Sequence, residues 1–225
     1  MRRIIFPLLL GIAGVAVLVS LGSWQVQRLS WKEGILTEIN NRIAAAPVAM
    51  PAAPTEDADE YRPVTLSGLI GAVELHVLTS GTKGGTGYRA IAPMVLDDGR
   101  RILLDQGLLA LNGKDQPATA RQASVTGTLL WPDDVNSSTP DPDLGRNIWF
   151  GRDVTAMSKA LETEPLMVVA STIAPLDPRL TLLPIDTAQI KNDHLEYAIT
   201  WFSLALVWAI MSIVLILRTL RPKEN

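Results

Sequence analysis

His76 and His194 are the two imidazoles of a 225-residue chain with no cysteine, so any ligand or acid–base chemistry must be built around that scarcity. Without thiols there are no disulfides, no thiolate metal sites and no C-x-x-C-H haem attachment. Structural zinc sites take about four ligands, and no cluster of His, Asp and Glu in the sequence has that spacing. Neither a G-x-S-x-G elbow nor an H-E-x-x-H helix occurs, which leaves hydrolytic catalysis without a constellation. GTKGGTG (Gly81 to Gly87) is the glycine-rich candidate for phosphate. A P-loop carries Lys-Ser/Thr after its last glycine and then a helix, whereas here Lys83 is internal and a strand pattern follows. The segment reads as a β-loop, and no βαβ unit surrounds it to bind a dinucleotide. No enzyme is expected.

The two histidines differ in setting. His76 stands in the alternating run Glu74-Leu75-His76-Val77-Leu78, where a satisfied or solvent-facing strand histidine is the ordinary reading. His194 stands in Asn192-Asp193-His194-Leu195-Glu196-Tyr197, at the entrance to an uncharged apolar run. Ionisable groups at membrane depth are costly and mark function, although an interfacial histidine costs far less. On a helix, His194, Ala198, Trp201, Ala205 and Ser212 share one face. Small residues below the histidine would admit another helix or a flat ligand; pairing with headgroups or Asp193 is the plainer alternative. The residues alone leave both open.

Two apolar runs must position this site. Ile4 to Gln27 and Tyr197 to Leu217 carry no charge. At about 1.5 Å per residue they give helices of roughly 36 and 31 Å, against a hydrocarbon core of about 30 Å. Arg2 and Arg3 precede the first run, and Arg218, Arg221 and Lys223 follow the second. The positive-inside rule then puts both termini in the cytoplasm. Residues 1–3 and 218–225 become cytoplasmic ends, 4–27 and 197–217 spans, and 28–196 an extracytoplasmic, periplasmic domain. Trp24 and Tyr197 to Trp201 fall where aromatic residues favour the outer interface. Ser20-Leu21-Gly22 resembles a signal-peptidase site, but the run exceeds the 7–15 residues typical of a signal core, which favours an anchor. With no transit peptide ahead of it, the multi-pass protein is expected in a bacterial inner membrane. A net charge of −3 gives no electrostatic footprint for nucleic acid; the lipid membrane is the expected surface.

Between the spans, Arg28 to Arg42 continues the first helix, with Gly34 a weak point that permits a break. AAAPVAMPAAPTEDADE reads as an extended linker. YRPVTLSGLI, ELHVLTS, YRAIAPMVL, RILLDQGLLAL, ASVTGTLLW and LMVVAS are then short β-rich runs. Asp97-Asp98-Gly99-Arg100 is a hairpin turn. Spacings too short for helices favour a mainly antiparallel sheet or small barrel. A helix from a cap at Asp153 to Thr163 is stopped by Pro165. The fold class is thus membrane α+β, two transmembrane helices flanking a mainly antiparallel, barrel-like domain with one or two helices.

Several segments, in order, resemble the surfeit-locus family of cytochrome oxidase assembly factors. They are Gly22-Ser23-Trp24-Gln25-Val26-Gln27-Arg28 with Trp31-Lys32, Glu60-Tyr61-Arg62-Pro63-Val64, and Gly87-Tyr88-Arg89. Asn147-Ile148-Trp149 with Arg152-Asp153 follow, and Asn192 to Tyr197 with Thr200-Trp201-Phe202 close the series. The resemblance implies a factor that holds haem a or helps insert it into the catalytic subunit of a haem–copper oxidase, with haem a synthase as a further partner. It also implies that His194 is a haem iron ligand. Trp201 is a weaker candidate at the site, and Arg28, Lys32 and Lys191 are weaker candidates for the propionates. A haem-free scaffold for nascent oxidase subunits is the alternative, and an anchored enzyme a remote one. The family pattern has Arg and Trp or Phe where this chain has Gln106 and Leu108; a contact made by that arginine in relatives would be lost here.

Overall fold

The computed structural model describes residues 2–82, 84–188 and 190–220. Lys83 of the glycine-rich loop, and Arg221 and Lys223 of the C-terminal positive flank, lie outside the described residues, as do the side chains of Arg2 and Arg3. In chain order the elements are α1 (Arg2–Ile43), β1 (Val48–Ala49), α2 (Glu56–Asp59), β2 (Pro63–Ile70), β3 (Leu75–Thr82), β4 (Gly85–Leu96), β5 (Arg101–Ala110), β6 (Arg121–Leu130), α3 (Val154–Leu161), β7 (Met167–Ala174), β8 (Leu180–Thr181) and α4 (His194–Leu220). They form two units, Met1–Glu38 with Thr187–Asn225, and Ile39–Asp186.

The first unit is made by α1 and α4. Both are long and apolar enough to cross a membrane. Their apolar residues are not a hidden core: Phe6 is 74% exposed, Leu206 62% and Met211 64%. Water tolerates no such continuous apolar surface, whereas lipid does. The helix does not break at Gly34. A glycine costs about 1 kcal/mol relative to Ala, too little to end a helix whose hydrogen-bond ladder continues on both sides.

The second unit is a closed barrel. β2, β6, β7, β5 and β4 are neighbours in that order, and a β2–β4 pairing at Gly68–Ile70 returns the sheet to its start. Most ladders are antiparallel; β5–β7 and the two-residue β1–β2 pairing are parallel. All six strand runs expected from the sequence are present, and so is the hairpin, where Gly99 takes φ +89°. β2 alternates as a half-buried strand should, with Val64, Leu66 and Ile70 inward. β5 does not alternate, because both its faces are covered. Ile102 and Leu104 fill the barrel, while Leu103 packs with Met157 and Leu161 of α3 and with Met167 and Trp149. Asp153 caps α3, its Oδ1 accepting from the Ala156 amide at 2.9 Å.

The expected linker is partly ordered. Val48 and Ala49 pair with Val64 and Thr65, using the β2 edge that β4 leaves free. Further on, the Thr55 amide donates to Asp59 across the single turn α2. Proline and alanine composition showed only that no long helix or strand could form there. It did not show that a barrel edge needed a partner.

Candidate functional site

α1 and α4 meet along small residues. A Cβ on Gly11 would lie 2.9 Å from the Ser212 Cβ, one on Gly22 2.8 Å from the Phe202 ring, and one on Gly14 would fall inside the Trp208 indole. Such close approach is how helices associate where no hydrophobic force separates lipid from protein. On α4, the buried residues are Ala198 and Ala205, both on the face expected from the sequence. That face is therefore occupied by a helix, which is one of the two occupants its small size allowed.

His194 is the first residue of α4, and its Nδ1 lies 2.7 Å from Oε1 of Gln25. Gln25 is 8% exposed, three residues past Gly22 on α1. A hydrogen bond between helices is worth about 0.6–2 kcal/mol in a membrane, so it fixes the ring more than it stabilises the pair. With the Gln25 carbonyl accepting, Nδ1 carries the proton and Nε2 keeps its lone pair. That is the arrangement of a ligating imidazole, whose second nitrogen donates to a carbonyl or carboxylate.

The other sequence candidates divide. Trp201 is half-buried on the His194 face. Lys32 donates from Nζ to the Lys191 carbonyl, tying the approach of α4 to α1. Arg28 stacks over Trp31 with its guanidinium carbon 4.0 Å from the ring centre. The Lys191 side chain is exposed. Beyond the histidine, Leu195, Tyr197, Ile199 and Phe202 present 41–58% of their surface, an apolar rim on the first turns of the helix that the imidazole heads. Gln25 is the residue that sequence reasoning passed over. The available signal was an uncharged amide one helical turn beyond Gly22, on the same stripe as Gly11 and Gly14.

Within the barrel, the matching segments converge on buried ion pairs. Asp105 has no exposed surface; its Oδ2 lies 2.5 Å from Arg89 and 3.8 Å from Arg152, and its Oδ1 accepts from the Gly107 amide at 3.1 Å. Gly107 has φ +108°, and a Cβ there would collide with the Thr181 carbonyl. Arg152 also chelates Asp134 at 2.5 and 3.1 Å. Burial pushes the Asp134 carboxyl up, but the Arg152 hydrogen bonds outweigh it and hold Asp134 below its ordinary value. A second group joins Glu74, Asp177, Arg179, Arg121 and Gln106. Arg179 donates to Glu74 at 2.9 Å and to Asp177 at 2.8 Å. Burial pushes Glu74 up, and His76 and Arg179 together bring it below its ordinary value. Hydrogen bonding from Arg179 lowers Asp177 despite its burial.

One expectation is corrected here, and one position is placed. His76 is neither solvent-facing nor satisfied. It is 7% exposed, its ring lies 5.8 Å from Tyr88, and neither ring nitrogen has a hydrogen bond. Its Nε2 is 3.5 Å from Glu74 Oε2, an electrostatic contact rather than a directed bond. Gln106 is wholly buried, accepting from Arg121 at 2.6 Å and donating to Glu74 at 3.4 Å. Position 106 thus faces the interior of the barrel in this chain.

These carboxylates give the barrel an acid limit. Glu74, Asp134 and Asp177 have folded values below their ordinary 4.5, 3.8 and 3.8. Their stabilisation is present above those ordinary values and is lost as pH falls through the folded ones. Glu60, raised by burial and by Glu56, works in the opposite sense. With the exposed Asp98 also lowered by its hydrogen bonds from Arg100, four lowered carboxylates against one raised set the expected net direction. The denaturation midpoint of the full chain in detergent should hold to about pH 5 and fall steadily below about pH 4. A midpoint flat to pH 3 would show that these pairs do not favour the folded barrel.

The SURF1 family model matches residues 12–206, which take in the barrel, most of α1 and about the first half of α4. A SURF1-like protein of Rickettsia felis is 28% identical over 208 residues, covering 88% of this chain and 91% of the relative. Surfeit locus protein 1 of Rattus norvegicus is 29% identical over 219 residues, covering 84% and 69%. The Homo sapiens protein of that name is 29% identical over 216 residues, covering 82% and 69%.

Proposed function

The chain belongs to the SURF1 family, whose members are cytochrome oxidase assembly factors, and from that premise we propose that it holds haem a at His194 for insertion into the catalytic subunit of a haem–copper oxidase. One observation carries the reading. The bond to Gln25 leaves Nε2 of His194 as the nitrogen with a free lone pair, at the head of an apolar helix and among exposed apolar side chains. The donor set fits a haem: imidazole is a common axial ligand, and the rim suits an amphipathic macrocycle. His194 would hold the iron, Trp201 would flank it, and Arg28, Lys32 and Lys191 are the cations available to propionates. Bound haem a would be cargo, and the chain's part is to hold it, orient it and keep it from water until transfer.

In this reading both long helices cross a bacterial inner membrane, with the termini cytoplasmic and the barrel periplasmic. The exposed apolar flanks of α1 and α4 support two spans. Commitment of Gly22 and Gln25 to α4 supports a retained anchor over a cleaved leader. The partners are the nascent catalytic subunit and haem a synthase, with lipid around the helices.

One observation favours a second reading. The small face of α4 packs on α1, so it is not kept open for a flat ligand, as a haem-free scaffold for oxidase subunits would require no such opening. Deleting the gene separates the two. Under the haem reading, membranes should retain the catalytic subunit with its haem a content reduced several-fold. Loss of the polypeptide in proportion to haem would favour the scaffold.

A further inference from the structure

Gln25 is a buried amide in a stripe that is otherwise glycine and apolar. A primary amide so placed needs a partner, and the one it has is a nitrogen of His194, 2.7 Å away. Both residues belong to the α1–α4 unit. The helices are held together there by the Gly22–Phe202 contact and by the bond from Lys32 to the Lys191 carbonyl. The helix segment that carries the buried amide is therefore held against the start of α4.

We propose that Gln25 is a positioning residue: its side-chain carbonyl holds His194 as the Nδ1–H tautomer and so presents the Nε2 lone pair to a haem iron. This rests on the reading of His194 as the ligand. A free neutral imidazole prefers its proton on Nε2, the nitrogen that would have to ligate. An acceptor on Nδ1 reverses that preference before any metal arrives. Once iron is bound, the same bond raises the basicity of the ligand and favours ferric over ferrous iron. Second-shell partners of this kind are typically worth about 10–100-fold in metal affinity.

The test begins without haem. Full-length protein in detergent, labelled with ¹⁵N-histidine and free of haem, should show His194 with a protonated Nδ1 and an unprotonated Nε2. Gln25→Leu keeps the bulk but accepts nothing, and should return the proton to Nε2. Gln25→Glu restores an acceptor and should keep Nδ1 protonated. It also serves if the leucine variant fails to accumulate. With haem a bound, the midpoint potential should rise in Gln25→Leu and fall in Gln25→Glu relative to wild type, and Gln25→Leu should bind about 10–100-fold more weakly. A wild-type His194 protonated on Nε2, or a tautomer unmoved by either substitution, would overturn the assignment of Gln25. The expected tautomers in a wild type that takes up no haem would uphold the hydrogen bond and reject His194 as a ligand. The two failures are thus distinguishable.

Discussion

Asp105→Ala is expected to destabilise the barrel by about 3–5 kcal/mol, the range seen when one partner of a buried ion pair is removed. Asp105 has no exposed surface, and the Arg89 and Arg152 side chains facing it are each 15% exposed. Removing the carboxylate leaves a guanidinium at 2.5 Å without its partner and deprives the Gly107 amide of its acceptor. The cost is that of stranding buried donors, and it exceeds what the pair contributes against an apolar replacement. Chemical denaturation of the full chain in detergent, followed by circular dichroism of the sheet, measures it. Asp98→Asn in the exposed hairpin, which breaks an ion pair to Arg100, should change little by comparison. An Asp105→Ala variant within about 1 kcal/mol of wild type would mean that water or a rearranged arginine satisfies the site, since surface substitutions fall in that range.

The second large effect is at His194. His194→Ala removes the imidazole yet leaves the apolar length of α4 unchanged, so insertion and the barrel should persist. Haem a recovered with the purified protein should fall at least about tenfold, as loss of a ligand should cost no less than loss of its second-shell partner. Gln25 then loses its hydrogen bond but gains no charge, and a modest weakening of the α1–α4 pair is expected. Equal haem in wild type and His194→Ala would place the ligand elsewhere and leave the scaffold reading ahead.

The barrel was legible because its strands carry their own signals. β2 alternates, the turn after β4 has Asp-Asp-Gly-Arg, and α3 has a capping aspartate and a following proline. Length and apolarity likewise identified α1 and α4. Long-range pairings were not legible. Arg89 comes from β4, Asp105 from β5, and Asp134 and Arg152 from opposite ends of the segment between β6 and α3, and no local pattern shows that their charges meet. The burial of Gln106 and His76 was not legible for one reason: a polar residue in a strand is ordinarily at home on a solvent face, and here both faces are covered. On β5 the continuous run Ile102-Leu103-Leu104 before Asp105 was the clue that a polar residue following it would be buried too. β1 was hidden because its order comes from a free barrel edge rather than from its own propensity. At the candidate site, His194 and its helix face could be read from spacing. Gln25 could not be read as its partner, because an amide at the end of an apolar run looks like an exit to the interface until the opposing helix is placed.

Haem analysis of the full-length protein purified from membranes that make haem a tests the central claim most directly. The absorption spectrum of the pyridine haemochrome, set against protein concentration, identifies the haem and its occupancy together. Haem a at a substantial fraction of one per chain, lost in His194→Ala, is the expected result. Wild-type protein that is folded, membrane-embedded and bound to oxidase subunits, yet free of haem a, would contradict it.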